Sequence, residues 1–162
     1  MSYSAFIVRF PDLGERETRT ITVPRGSDIG LPYAQYGFLE MYCDDPGCDC
    51  RRVFWMVLSR QLPGRILAVI AYGWESRGFY TGWLGMPDRD RITELKGPVL
   101  NAGSPQSRYA PKLLELARDV LIPDPDYMAR IKRHYRMFRD AVDAEPKPRG
   151  IKPPHAARKR RR

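Results

Sequence analysis

Val53-Phe-Trp-Met-Val-Leu58, Gln61-Leu-Pro-Gly64, Ile66-Leu-Ala-Val-Ile-Ala-Tyr72: two short apolar runs rich in β-branched and aromatic residues, separated by a turn signal. Runs of six or seven such residues bounded by Pro and Gly predict buried strands, and the short spacer predicts an antiparallel pair. Working outward, Tyr36 to Tyr42 predicts a further strand before the pair. Earlier still, Phe6, Val8 and Phe10 alternate with Ile7 and Arg9 over residues 4–10, which predicts a strand. Pro11-Asp-Leu-Gly14 predicts a turn and Thr18 to Val23 a strand pairing back as a hairpin. On the other side, Glu75-Ser-Arg-Gly78 predicts a turn before a strand over Phe79 to Trp83. The first half thus describes an antiparallel meander of four to six strands.

The period then changes. Residues 86–103 carry no decisive pattern, apart from a short helix around Asp90–Leu95. Ser104 followed by Pro105 is a helix start signal. Tyr109, Leu113, Leu116, Ala117, Val120 and Leu121 form one apolar stripe at helical spacing. Asp124-Pro125 repeats the start signal, and Tyr127, Met128, Ile131, Tyr135, Phe138 and Val142 form the second stripe. About two residues separate the helices, so they are expected as an antiparallel pair on the sheet. Strands first and helices afterwards predict an α+β domain over 1–144 with two C-terminal amphipathic helices. Past it, prolines and cations without apolar period predict a disordered basic tail over 145–162.

No apolar run approaches the roughly 18 residues of a membrane-spanning helix, and the first residues lack the pattern of a secretory signal. The expected address is the cytoplasm, or the nucleus in a eukaryotic cell, where a terminal basic run also serves as a targeting signal. Charge is unevenly spread. From Tyr127 onward thirteen basic residues face three acids, a net +10, whereas the first 126 residues sum to −1. Arg130, Arg133, Arg136 and Arg139 are expected on the outer face of the second helix. Arg158, Lys159, Arg160, Arg161 and Arg162 end the chain. A solvated helix face explains the first group adequately; five successive like charges fit an interaction tail better. Together they point to nucleic acid or another polyanion as partner.

The segment Tyr42-Cys-Asp-Asp-Pro-Gly-Cys-Asp-Cys-Arg-Arg52 holds all three cysteines of the chain. An odd count argues against a disulfide framework. Asp45-Pro-Gly47 is a turn signal that folds Cys43 back towards Cys48 and Cys50. Three converging thiolates suit a tetrahedral thiophilic ion, zinc first, with Arg51 and Arg52 offsetting its negative charge. His134, near the buried face of the second helix, is the expected fourth ligand; Asp44, Asp45, Asp49 and Glu40 are oxygen alternatives. The plainer reading is three small apolar core residues and a packed histidine.

Catalytic patterns are scarce. Pro87-Asp88 with Glu94-Leu-Lys96 imitates a metal-dependent nuclease set without the required strand context. Gly78, Gly82 and Gly85 do not form a phosphate loop. The sequence therefore describes a small zinc-stabilised accessory or binding protein whose basic helix and tail engage a polyanion. The alternatives are a metal-dependent enzyme, such as a nuclease, and a protein–protein adaptor with a non-specific tail.

Overall fold

The computed structural model describes residues 2–62 and 66–145. Half of the expected turn (Pro63-Gly64) and nearly all of the expected tail, including Arg158 to Arg162, lie outside these residues. The elements are β1 (Tyr3–Ala5), α1 (Phe6–Arg9), α2 (Pro11–Glu17), β2 (Arg19–Val23), β3 (Ala34–Cys43), β4 (Arg52–Ser59), β5 (Ala68–Gly73), α3 (Arg77–Leu84), α4 (Arg89–Lys96), β6 (Val99–Leu100), α5 (Ala110–Leu116) and α6 (Pro125–Ala144). A π-helical turn over Ala117–Leu121 continues α5. The α+β class holds: one antiparallel sheet runs β1-β3-β4-β5-β6, with β2 on β3 beside β1.

Strand period 2 sorts β3 into two sets. Ala34, Tyr36, Phe38, Glu40 and Tyr42 are buried, while Gln35, Gly37, Leu39 and Met41 are more accessible. Tyr36, Phe38 and Tyr42 join Val53, Trp55, Val57, Ala68 and Ile70 in the main core with Leu113, Leu121, Ile131 and Phe138 from the C-terminal helices. On the opposite face Phe54, Val69 and Ala71 form a smaller cluster with Tyr3 and Met41. Cross-strand register explains the pairing of these sets: Met41 lies opposite Phe54, and Phe54 opposite Ala71.

Several local expectations fail for identifiable reasons. The strand expected over residues 4–10 stops at Ala5, because Phe6 turns into the core and begins a helical turn. Pro11-Asp-Leu-Gly14 starts a helix instead of a turn. Pro11 occupies the first helical turn, Asp12 suits its positive end, and Glu15, Arg16 and Glu17 extend it. Gly14 also permits close helix contact: a Cβ there would sit 2.7 Å from Ile7. β2 consequently pairs with β3, not with the first strand. Phe79 to Trp83 is helical, because Ser76 accepts the Phe79 N–H at 3.1 Å and Gly85 ends the helix in the left-handed region at φ 74°.

Ser104-Pro105 does not open the helix before α6; Ala110 does, with Pro111 in its first turn. The intervening segment is spent on the sheet edge. The Gln106 carboxamide accepts the Val69 N–H at 3.1 Å and donates to the Val69 carbonyl at 3.0 Å. Nor do the last helices rely chiefly on each other. α5 packs on β5 and β6, whereas α6 crosses β3 and α1. Among the described residues no helix is long and apolar enough to cross a membrane.

Candidate metal centre

Residues 44–51 form the loop of the β3–β4 hairpin, with Cys43 at the end of one strand and Cys50 just before the other. Cys48 N–H donates to the Asp45 carbonyl at 3.2 Å, and Gly47 adopts φ 74°, so Asp45-Pro-Gly47 makes the expected tight turn. Arg51 holds a left-handed φ of 47°, uncommon for a non-glycine residue. It is held from several sides. Its N–H donates to the Tyr135 hydroxyl at 3.3 Å, its carbonyl accepts from Tyr80 at 2.9 Å, and its guanidinium pairs with Asp49 and Glu75.

The strongest clamp comes from α6. Arg139 is only 7% exposed, and its Nη1 donates to the carbonyls of Cys43 (2.9 Å) and Asp45 (3.0 Å). Its Nη2 pairs with Asp143 at 2.7 Å, and Asp143 accepts the Gly47 N–H at 2.8 Å. The loop is thus shaped by protein groups before any ion is considered. Its product is convergence: the sulfurs of Cys43, Cys48 and Cys50 all lie within 4.8 Å of one another. Zinc–sulfur bonds of about 2.3 Å in a tetrahedron place sulfurs about 3.8 Å apart, so a small contraction suffices for one ion.

Burial sets the state of the thiols. Cys43 and Cys50 are fully buried and Cys48 partly so. Desolvation, the largest cause, pushes Cys43 up to about 11. Cys50 is raised further, by desolvation and then by the neighbouring sulfurs. Without a cation Cys43 and Cys50 stay protonated at neutral pH; a bound soft cation displaces the protons and stabilises the thiolates.

His134 does not join the sulfurs. It is 1% exposed and stacked on Phe6 with ring centroids 4.1 Å apart. Its Nδ1 lies 2.7 Å from Glu40 and its Nε2 2.9 Å from Glu17, so both nitrogens are engaged by carboxylates. The expected fourth ligand is therefore committed elsewhere, and so is Glu40, which also accepts from Tyr42 at 2.7 Å. Asp44 accepts from Ser4, and Asp49 pairs with Arg51. Among the described residues the convergent group consists of the three sulfurs alone.

The basic residues of α6 divide three ways. Arg139 is buried on the cysteine loop, a correction to its expected place on the outer face. Arg130 and Arg133 both engage Glu17. Arg136 is exposed. The Asp88, Glu94 and Lys96 set does not converge. Asp88 caps α4 by accepting the N–H groups of Asp90 and Arg91, while Lys96 donates to the Gly73 carbonyl from the other end, about 12 Å along the axis. Gly78 and Gly82 lie within α3 and Gly85 at its end, so none cradles a phosphate ahead of a helix.

Arg139 was legible in principle. Tyr127, Ile131, Tyr135 and Arg139 recur at strict spacing of four, which puts the arginine on the buried stripe. No comparable signal marked Glu17 or Glu40, which lie far from His134 in sequence. In comparison with known protein families, curated proteins and solved structures, the chain matches none.

Proposed function

We propose that this chain is a small metal-braced accessory protein in which Cys43, Cys48 and Cys50 hold one thiophilic divalent ion, zinc first. The reading rests on one observation: three sulfurs within 4.8 Å on a hairpin loop that Arg139, Tyr135 and Tyr80 fix from outside. Softness of the donors favours zinc over calcium or magnesium. A single ion would tie the end of β3 to the start of β4, and through Arg139 to α6. The fourth position would fall to water or to a ligand from a partner, since His134 is spoken for.

The partner class is a polyanion, with nucleic acid first. The charge asymmetry of the sequence supports this, with a net +10 after Asp126. On α6 the contribution narrows to the exposed Lys132 and Arg136, with Arg133 exposed but paired with Glu17. Most of the binding strength is therefore assigned to the terminal basic run.

Native mass spectrometry of the full chain tests the ion. One bound zinc, lost in Cys50→Ala, is expected; a wild-type chain that refuses zinc, cobalt and cadmium alike refutes the centre. Fluorescence titration with a short DNA and a short RNA tests the partner. Binding is expected to weaken steeply with salt and to vanish on deletion of 145–162. Salt-insensitive binding, or none, refutes the polyanion reading while leaving the metal centre standing.

A further inference from the structure

On the sheet face away from α5 and α6, a cavity of about 620 Å³ opens between the β4–β5–β6 end of the sheet and the α3–α4 pair. Its lining is mixed: Trp83, Leu95, Val99 and Leu100 supply apolar wall, while Arg52, Arg91, Glu94 and Asn101 are polar, so one acid stands among two cations. Arg52 is only 7% exposed. Its Nη2 donates to the Glu94 carbonyl at 3.0 Å and its guanidinium lies over the Phe54 ring at 4.9 Å. Its Nε is buried and has no hydrogen-bond partner. No carboxylate pairs with it among the described residues.

A guanidinium cannot shed its proton at any ordinary pH, so burial leaves a full charge that needs an anion. Arg51 shows the contrast: one position earlier, and more exposed, it has Asp49 and Glu75. The proposed ion centre would add a negative field nearby, yet a field supplies no acceptor for a specific N–H. Aromatic contact with Phe54 likewise leaves Nε unsatisfied. Nε is closed to a water-sized group in this packing, so the unfilled role is that of a planar oxyanion which takes Nε–H and an Nη hydrogen once the Arg52 side chain turns into the cavity, the fork geometry that carboxylates and phosphates match. The second cation on the lining, Arg91, is largely exposed and lies 3.5 Å from Asp88. The cavity volume falls in the range of small-ligand sites, where apolar walls surround a few polar groups.

We infer that this cavity binds a small organic anion with a flat apolar body, its carboxylate or phosphate on Arg52 and its ring system against Trp83, Leu95 and Leu100. This site is separate from the cysteine loop and does not depend on the polyanion reading. The probe is 2-naphthoate, with the neutral 2-naphthalenemethanol as isostere, titrated by calorimetry into the zinc-supplemented full chain. Naphthoate is expected to bind at least about tenfold tighter than the alcohol, as a charge-assisted fork requires. Arg52→Gln should remove that preference. Because Arg52 is buried and its variant risks misfolding, Ala102→Trp provides a second arm: Ala102 is exposed on the cavity lining, and the larger ring should plug it and abolish naphthoate binding.

Equal affinity for the two probes overturns the proposal, as does no naphthoate binding at millimolar concentration. Undiminished binding in Ala102→Trp also overturns it, by placing the anion elsewhere, for instance on the basic tail. Zinc content measured on the same samples keeps a failure of the metal centre distinct from a failure of this site.

Discussion

α6 reaches into the sheet at two places little more than a turn apart, and the two are built on opposite plans. At His134 the protein supplies every main partner itself: Glu17 and Glu40 take the ring nitrogens, Phe6 takes the ring face, and Tyr42 donates to Glu40. At Arg139 it supplies only the frame. The arginine fixes two carbonyls of the hairpin loop, on which the sulfurs of three cysteines converge within 4.8 Å of one another. A buried hydrogen-bonded network made by the chain's own side chains, with only the Glu40 Oε1 left without a partner, serves the fold at all times. If the thiol cluster holds the proposed ion, part of the stability becomes conditional on that ion.

The largest effect should come from breaking the His134 network. His134→Ala leaves Glu40 buried beside an empty space, and the lost hydrogen-bond partner together with the cavity costs about 3–5 kcal/mol. Urea unfolding followed by circular dichroism should show this loss equally with zinc and with chelator. If the loss appears only when zinc is present, the two regions are not independent.

Next in size is the conditional part. With free zinc at about a hundred times its dissociation constant, linkage adds about 2.7 kcal/mol to the wild type. Thermal unfolding of the chelated protein should shift upward on zinc addition. Cys50→Ser should show no such shift, since two thiolates and a hydroxyl hold zinc poorly. A zinc shift that survives in Cys50→Ser would move the ion away from the loop.

Arg139→Met tests the frame. It removes the Arg139 donor of the Cys43 carbonyl and one of two donors of the Asp45 carbonyl, a cost of about 1–3 kcal/mol, and should weaken metal affinity about 10–100-fold. Competition with a chromophoric chelator reads the affinity directly. An unchanged affinity would mean that the ion organises the loop without help from α6. Smallest is Arg136→Gln. Its stability effect should stay within about 0.5 kcal/mol, while the salt slope of nucleic-acid binding should fall by about one.

What the sequence revealed follows from how far each determinant reaches. The β3–β4–β5 core was legible because each strand is a continuous apolar run, and α6 because Asp124-Pro125 precedes a long stripe. The convergence of the cysteines was legible because a local turn causes it. The helical state of residues 6–17 was not: Pro-Asp-x-Gly reads as a turn unless the three residues after it, Glu15-Arg-Glu17, are weighed as helix formers. The fate of His134 was illegible for a different reason. Its partners are 94 and 117 residues away, and neither spacing nor composition announces a pairing at that distance. Adjacency in sequence makes Arg52 a neighbour of the sulfurs, whereas its buried, half-satisfied guanidinium appears only once α4 is packed against the strand.

Gln106 has a consequence for how these chains meet one another. A strand joining the open side of β5 would bond to the N–H and C=O of Val69, and one carboxamide already occupies both. Asn101 N–H shares the same carbonyl at 2.8 Å, and Ser107 N–H takes that of Leu67 at 2.9 Å. The stretch of β5 that runs past β6 is thereby closed with side-chain and loop atoms, so a second copy finds the Val69 N–H and the Leu67 and Val69 carbonyls already claimed. Growth by strand addition on this side first requires breaking bonds that the loop after β6 already holds.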